Sequence, residues 1–573
     1  MSEVARLRRI RRYAVPRWMI ERSAERRAAG DWRGACAAAA IDVELDLDEI
    51  ARRRDAEVAG RVEDDLRHLV PDLVRWHAPR VQGRTTLAPD HPLVLAEYGM
   101  EALYVDTPSW LINGPQRMTL RFGDPRPREA PFICTDFPHI GFWRNLVQPW
   151  TEARHLWDDR HTGELRERCG GDAGRAPFFH PDGTPLTAAE LPASDPGPGD
   201  PAGHTEWVTL LHERGEIDAA FAAAGVELVT PDPGTGRPGG YEPFGPYDQL
   251  ARMPLALTRL EPEIRRLGGG RFQIPWTVES VILFDHDGER LRVEVVASDS
   301  YWEWRDEHGK DVPVLADATW RRPPDLDLLR HGRTPPEALH PLVRDALFPG
   351  RAAARNAPAG PPEPEVPLTV RVRCGGEWHE PAFRDGVLEI PHTGQERDRE
   401  AALVALGGEP GGCFAAERAW TTGRGRLPRK WRELRRDLFD RFHHGDTDGV
   451  VRMLDLGIDP RVRDEHGRTL LHMLALLPEH EPLLPRLLAA GLDLEAESTS
   501  DWSRDMPRTP LHRAVEMDGR EALVRALVDA GARVDLLDEE ETTLLRLIDR
   551  AGRRDLGWLR ERVLAEHPDY EDY

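Results

Sequence analysis

The chain has 573 residues, of which 31% are charged and 40% apolar, with a formal net charge of −23 at pH 7. That length exceeds one domain of about 100–200 residues. The acidic balance argues against nucleic-acid binding, which needs a basic face, and no apolar run approaches the ~18 residues of a membrane span.

Residues 1–95 read as an all-helical N-terminal unit. Pro16–Gly30 opens with proline and closes with glycine, the asymmetry of a helix start and stop. A second helix, Trp32–Ile41, follows, with further helices over Glu57–Leu69 and Pro71–His77. Ten arginines stand between Met1 and Gly34 against Glu3, Glu21, Glu25 and Asp31. Interleaved with apolar residues, they fit solvated helix faces; binding of nucleic acid or an acidic partner is the sharper alternative.

Residues 96–345 read as an α+β region. Val94–Val105 and Gln116–Phe122 are strand-like around the turn signal Ile112-Asn-Gly-Pro115. Helices are expected over Trp143–Leu156, Glu206–Ala224 and Asp248–Leu267. Glu279–Phe284 and Leu291–Val296 alternate around Asp287-Gly288, a hairpin signature. Pro181–Gly203 and Thr230–Gly245 are rich in proline and glycine and read as surface loops. Residues 346–367 form a linker. Residues 368–429 are a small β-leaning segment, with strand-like Leu368–Arg373 and Gly386–Ile390. Trp302 and Trp304 flank Glu303 at strand spacing and fit a core or a peptide groove.

Few chemical motifs are present. Cys36, Cys134, Cys169, Cys374 and Cys413 stand far apart, without a C-x-x-C pair. No zinc ribbon, metal site or cofactor is expected from them. Sparse cysteines and the lack of an apolar leader fit a reducing, cytoplasmic compartment. Lys310 and Lys430 are the only lysines beside abundant arginine, which suits a GC-rich bacterial genome and leaves no phosphate-binding Gly-Lys-Ser/Thr. H-E-x-x-H, G-x-S-x-G and a strand-borne G-x-G-x-x-G are also missing. No catalytic residue is therefore assigned. The ionisable clusters nearest to a dispersed site are Asp136, His139 and Arg144, then His155, Asp158, Asp159 and His161. Asp285-His-Asp-Gly-Glu289 reads as a solvated turn rather than a calcium loop.

The end of the chain is periodic. Gly467-Arg-Thr-Leu-Leu-His472 returns as Pro507-Arg-Thr-Pro-Leu-His512 and, weakened, as Glu541-Thr-Thr-Leu-Leu-Arg546. Thr469, Thr509 and Thr543 are 40 and 34 residues apart, and Gly457, Gly491 and Gly531 are 34 and 40 apart. An insertion at Ser498–Arg504 accounts for the longer interval.

This pattern resembles the ankyrin-repeat family, whose unit has about 33 residues and a T-P-L-H signature. The resemblance covers residues 430–573 and implies about four units: 432–463, 464–500, 505–537 and 538–569. It implies that Thr469 and Thr509 cap helices, that Leu471 and Leu511 face the stack, and that His472 and His512 form structural hydrogen bonds. Gly457, Gly491 and Gly531 would end each second helix. Partner contacts would fall on Glu465, His466, Arg468, Glu516, Met517, Glu539, Glu540 and Thr542. The fold class expected is multidomain: an α-helical N-terminal unit, an α+β middle region and a C-terminal ankyrin-repeat α-solenoid. The function expected is a scaffold or adaptor binding another protein through the repeats. The alternative is an enzyme in residues 96–345, with the repeats as a targeting arm.

Overall fold

The computed structural model describes residues 3–81, 85–108, 114–125, 146–229, 246–277, 280–297, 312–351, 360, 362–363, 365–498, 508–517, 519–537 and 543–572. Asp136, His139, Arg144, Trp302, Trp304, Glu539, Glu540 and Thr542 lie outside these residues. The chain forms two compact units, 1–112 with 117–362, and 113–116 with 363–573.

The first unit holds two sheets, each with its own core. Strands β1 (Ile41–Glu44), β2 (Pro92–Tyr98), β3 (Glu101–Asp106), β4 (Met118–Gly123) and β5 (Gln148–Pro149) lie in the order β1-β4-β3-β2-β5. β2, β3 and β4 pair antiparallel, while β1 joins β4 and β5 joins β2 in parallel. The helices Glu3–Tyr13, Arg17–Ala28, Ala56–His68, Pro71–His77 and Pro341–Leu347 share one apolar core with this sheet. That core runs from Leu7 to Phe348, so no break in packing falls at residue 95. The all-helical reading of residues 1–95 is corrected by β1. Its four residues are too few to show an alternation in sequence, and its place is set by backbone bonds to β4.

The second sheet has the order β6-β9-β8-β7, with β6 Val226–Val229, β7 Gly270–Thr277, β8 Ser280–His286 and β9 Leu291–Ala297. β8 is central and buried at all but one position, as expected of a strand covered on both faces. The helix expected over Trp143–Leu156 is not formed in its described part: Gln148–Pro149 is a strand and Arg154–Leu156 one 3-10 turn. Pro149 removes the amide that a continuing helix needs. The run Glu206–Ala224 is two helices, Pro201–Glu213 and Ile217–Ala223, separated at Gly215.

Two buried polar groups tie the first unit together. Asp325 accepts hydrogen bonds from Arg11 Nε at 2.7 Å and Trp76 Nε1 at 2.9 Å. Asp72 accepts from Ser23 Oγ at 2.7 Å and faces His340 Nε2 at 2.8 Å. Burial alone would raise the Asp72 pKa, but His340 and Ser23 outweigh it and hold it low. The serine donates to the carboxylate rather than to the imidazole, so the trio is a brace and not an activated nucleophile.

The second unit begins with two short hairpins, β10 (Val372–Cys374) with β11 (Glu377–His379) and β12 (Ala382–Arg384) with β13 (Val387–Glu389). The β-leaning reading of residues 368–429 is corrected by two helices, Gly394–Ala405 and Gly412–Thr422. Four helix pairs follow: Arg429–His443 with Thr447–Asp455, Leu470–Met473 with Leu484–Ala489, Pro510–Glu516 with Glu521–Asp529, and Leu544–Arg550 with Gly557–Glu566. Each first helix packs on the next pair's first helix from Leu470 onward. Phe383, Trp420 and Trp431 form an aromatic cluster with centroids 4.6–6.4 Å apart, and Leu388 N donates to Asp459 Oδ2 at 3.0 Å. Residues 368–429 thus pack against the first of these helix pairs.

Among the described residues no helix is long and apolar enough to cross a membrane.

Candidate functional site

The repeat surface is built on a recurring cap. Thr469 and Thr509 precede their helices in extended backbone, which leaves their amides and hydroxyls free to bond a side chain in the first turn. His472 Nδ1 accepts from Thr469 N at 3.1 Å and lies 2.8 Å from its hydroxyl. The ring's proton is then on Nε2, which donates to the Arg508 carbonyl at 2.9 Å. His512 repeats the arrangement toward Leu536 O at 3.3 Å. Burial depresses the His472 pKa from 6.5 to about 3, keeping the ring neutral as this pattern requires. Leu471 and Leu511 are buried. Gly457, Gly491 and Gly531 follow the second helices with φ of +91°, +80° and +102°, conformations that a side chain opposes.

Between these caps the turn tips reach solvent. Glu465 is 82% exposed at its side chain, and His466 beside it is partly exposed. Arg468 points inward, with Nε 2.5 Å from Asp464 Oδ2, whose carboxylate also takes the amides of His466 and Arg468. Glu516 is partly exposed and Met517 is buried. Arg468 and Met517 are thus turned into the repeat unit. The variable-position pattern marks where residues sit along the repeat, not which way a long side chain folds.

The ionisable cluster near residue 158 is a closed ion-pair network. Asp158 is fully buried and accepts from Arg154 Nε at 3.0 Å and from Arg160 N and Nε, each at 3.0 Å. Burial would raise its pKa, but Arg160 and Arg154 hold it low. His155 is buried, with its pKa pushed well down by that burial. His161 pairs with Glu164 at 2.7 Å and Asp159 with His68 at 2.9 Å. A groove lined by Arg61, Asp64, Asp65, Arg154, Arg160 and His161 overlies this network, and Arg154 and Arg160 are engaged by Asp64, Asp65 and Asp158. At the β8–β9 hairpin, Asp287 Oδ1 accepts from Glu289 N and Arg290 N at 2.9 and 2.8 Å, so its carboxylate closes the turn.

One cluster went unread in the sequence. Cys374, His379, His392 and Cys413 each offer a donor atom, and all four atoms lie within 4.8 Å of one another. The reading of no metal site rested on the lack of a C-x-x-C pair, and this set is spaced C-x4-H-x12-H-x20-C. Its histidines were the missing signal, because cysteine spacing alone hides a mixed ligand set.

A family model for ankyrin repeats matches residues 442–538 in three copies. The C-terminal region of this chain thus carries ankyrin repeats. No curated protein matches the chain.

Proposed function

We propose that the protein is an adaptor or scaffold whose C-terminal ankyrin repeats, stacked as an α-solenoid of four units, bind another protein. The observation that carries this reading is the three-copy ankyrin match, since ankyrin repeats are generally protein-interaction modules. The geometry supports it: the cap histidines His472 and His512 are committed to internal bonds, and tips such as Glu465 between the caps are left to solvent. The proposed contacts are Glu465, His466 and Glu516, together with Glu539, Glu540 and Thr542. Arg468 and Met517 are omitted because both are buried.

Affinity capture from host lysate followed by mass spectrometry tests this reading. The full chain is compared with a Glu465→Arg, Glu516→Arg double variant. Partners captured by the parent and lost from the variant support it. An unchanged set of partners counts against recognition at these tips.

A further inference from the structure

Four donor atoms from three separate elements meet in the second unit. Cys374 ends β10 and His379 ends β11, joined by the turn Gly375-Gly376 with φ of +61° and +95°. Val372 pairs with His379 across the hairpin, so Cys374, two residues on, shares its face with His379. His392 precedes the helix Gly394–Ala405, and Cys413 lies in the first turn of Gly412–Thr422.

Three of the six edges have the lengths of a tetrahedron around one ion, and all four atoms lie within 4.8 Å of one another. Cys374 Sγ to His392 Nε2 is 3.5 Å, His379 Nδ1 to His392 Nε2 is 3.1 Å, and Cys413 Sγ to His379 Nδ1 is 3.7 Å. Tetrahedral zinc, with bonds of about 2.3 Å to sulfur and about 2.0 Å to nitrogen, requires S···N edges of about 3.5 Å and N···N edges of about 3.3 Å. A two-iron cluster would place the sulfurs and imidazoles on different metals and separate them further.

The surroundings are shaped for this convergence. A Cβ on Gly412 would stand 2.5 Å from Cys374 Sγ, so only glycine lets that helix start approach so closely. His392 Nδ1, the nitrogen away from the cluster, lies 3.6 Å from Glu396 Oε2. A carboxylate there orients a metal-bound imidazole. Phe414 packs on the His392 ring at 4.5 Å between centroids. The local core is thin, with three-residue strands and a helix, Gly394–Ala405, that buries no residue. A metal staple supplies what such a core lacks.

We propose that Cys374, His379, His392 and Cys413 bind one zinc ion in a closed structural site that fixes the capping segment ahead of the repeats. Four protein ligands leave no open position for substrate, which assigns the ion to structure rather than catalysis. Among the described residues the other grouping of this kind, His68 with Asp158 and Asp159, has its carboxylates engaged by Arg154, Arg160 and His68 and carries no such reading.

The test is elemental analysis of the untagged full chain purified without chelator, with about one zinc per chain expected. Cys374→Ser and His392→Ala are each expected to lower the zinc content at least tenfold, while Cys36→Ala, outside the cluster, keeps it. Cobalt exchange of the parent protein reads the site without any variant. Intense tetrahedral d–d bands with thiolate-to-metal charge transfer are expected. Protein that carries no zinc and takes up neither zinc nor cobalt overturns the proposal. So does cobalt binding without thiolate charge transfer, or a Cys374–Cys413 disulfide in protein kept reduced throughout purification.

Discussion

His472 Nε2 donates to the carbonyl oxygen of Arg508 at 2.9 Å, a bond that joins one repeat to the next across 36 positions of sequence. The same ring accepts from Thr469 through Nδ1, so one buried side chain both caps its own helix and latches the following unit. Replacing it with alanine leaves the Thr469 amide without its side-chain acceptor and removes the inter-repeat bond to the Arg508 carbonyl, which keeps the Ser498 amide at 3.1 Å. One orphaned buried group costs about 1–3 kcal/mol, so His472→Ala is expected to destabilise the second unit by about 1–3 kcal/mol. Calorimetry of the full chain, which resolves transitions of separate units, checks it. An unchanged transition temperature would show that the latch carries no stability.

Acid is expected to weaken the same latch. The folded pKa of His472 is about 3 against an ordinary value of 6.5. Between these values the unfolded chain binds a proton that the folded state refuses. Stability is therefore full above about pH 6.5 and falls as pH drops toward 3, by about 2 kcal/mol at about pH 5 from this group alone. His91, depressed by burial to about 4, adds the same sign in the first unit. Melting temperatures across pH should fall on the acid side, and His472→Ala should flatten that limb for the second unit. Equal acid sensitivity in parent and variant contradicts the assignment.

Gly531 isolates a backbone effect from a packing effect. Its φ is +102°, and a Cβ there would meet nothing within 4 Å. Gly531→Ala thus costs only the conformational penalty, about 1–2 kcal/mol. Gly412→Ala adds a collision with Cys374 and is expected to cost more. Comparing the two by chemical denaturation separates strain from crowding; equal losses would mean that the Gly412 contact relaxes freely.

In the first unit the sensitive position is Asp325. It holds Arg11 and Trp76, with the Arg11 and Asp325 side chains only 6% and 2% exposed. Removing the carboxylate leaves a buried guanidinium uncompensated, at a cost of about 3–5 kcal/mol for Asp325→Ala. Limited proteolysis of residues 1–362 should accelerate accordingly. The same geometry removes Arg11 from any exposed basic face of the N-terminal helices.

The repeats were legible because their signals recur: Thr469 with His472 and Thr509 with His512 fix a register that one copy would leave ambiguous. The hairpin around Gly288 was legible for a similar reason, since alternation and turn chemistry agree there. β1 and β5 were not, because strands of four and two residues owe their existence to neighbours far along the chain. The cluster of Cys374, His379, His392 and Cys413 failed for a different reason. Its members sit on a hairpin, a helix approach and a helix start, and only the fold of residues 368–429 makes their spacing meaningful.

The most direct test of partner binding through the repeats is site-specific photo-crosslinking in the native host. A photoreactive residue is placed at Glu465 or Glu516 and, as a control, at Met100, which is 89% exposed in the first unit. A discrete protein adduct from both repeat positions, missing from Met100, is the predicted result. Adducts from Met100 with none from the repeat positions would contradict recognition through the repeat tips.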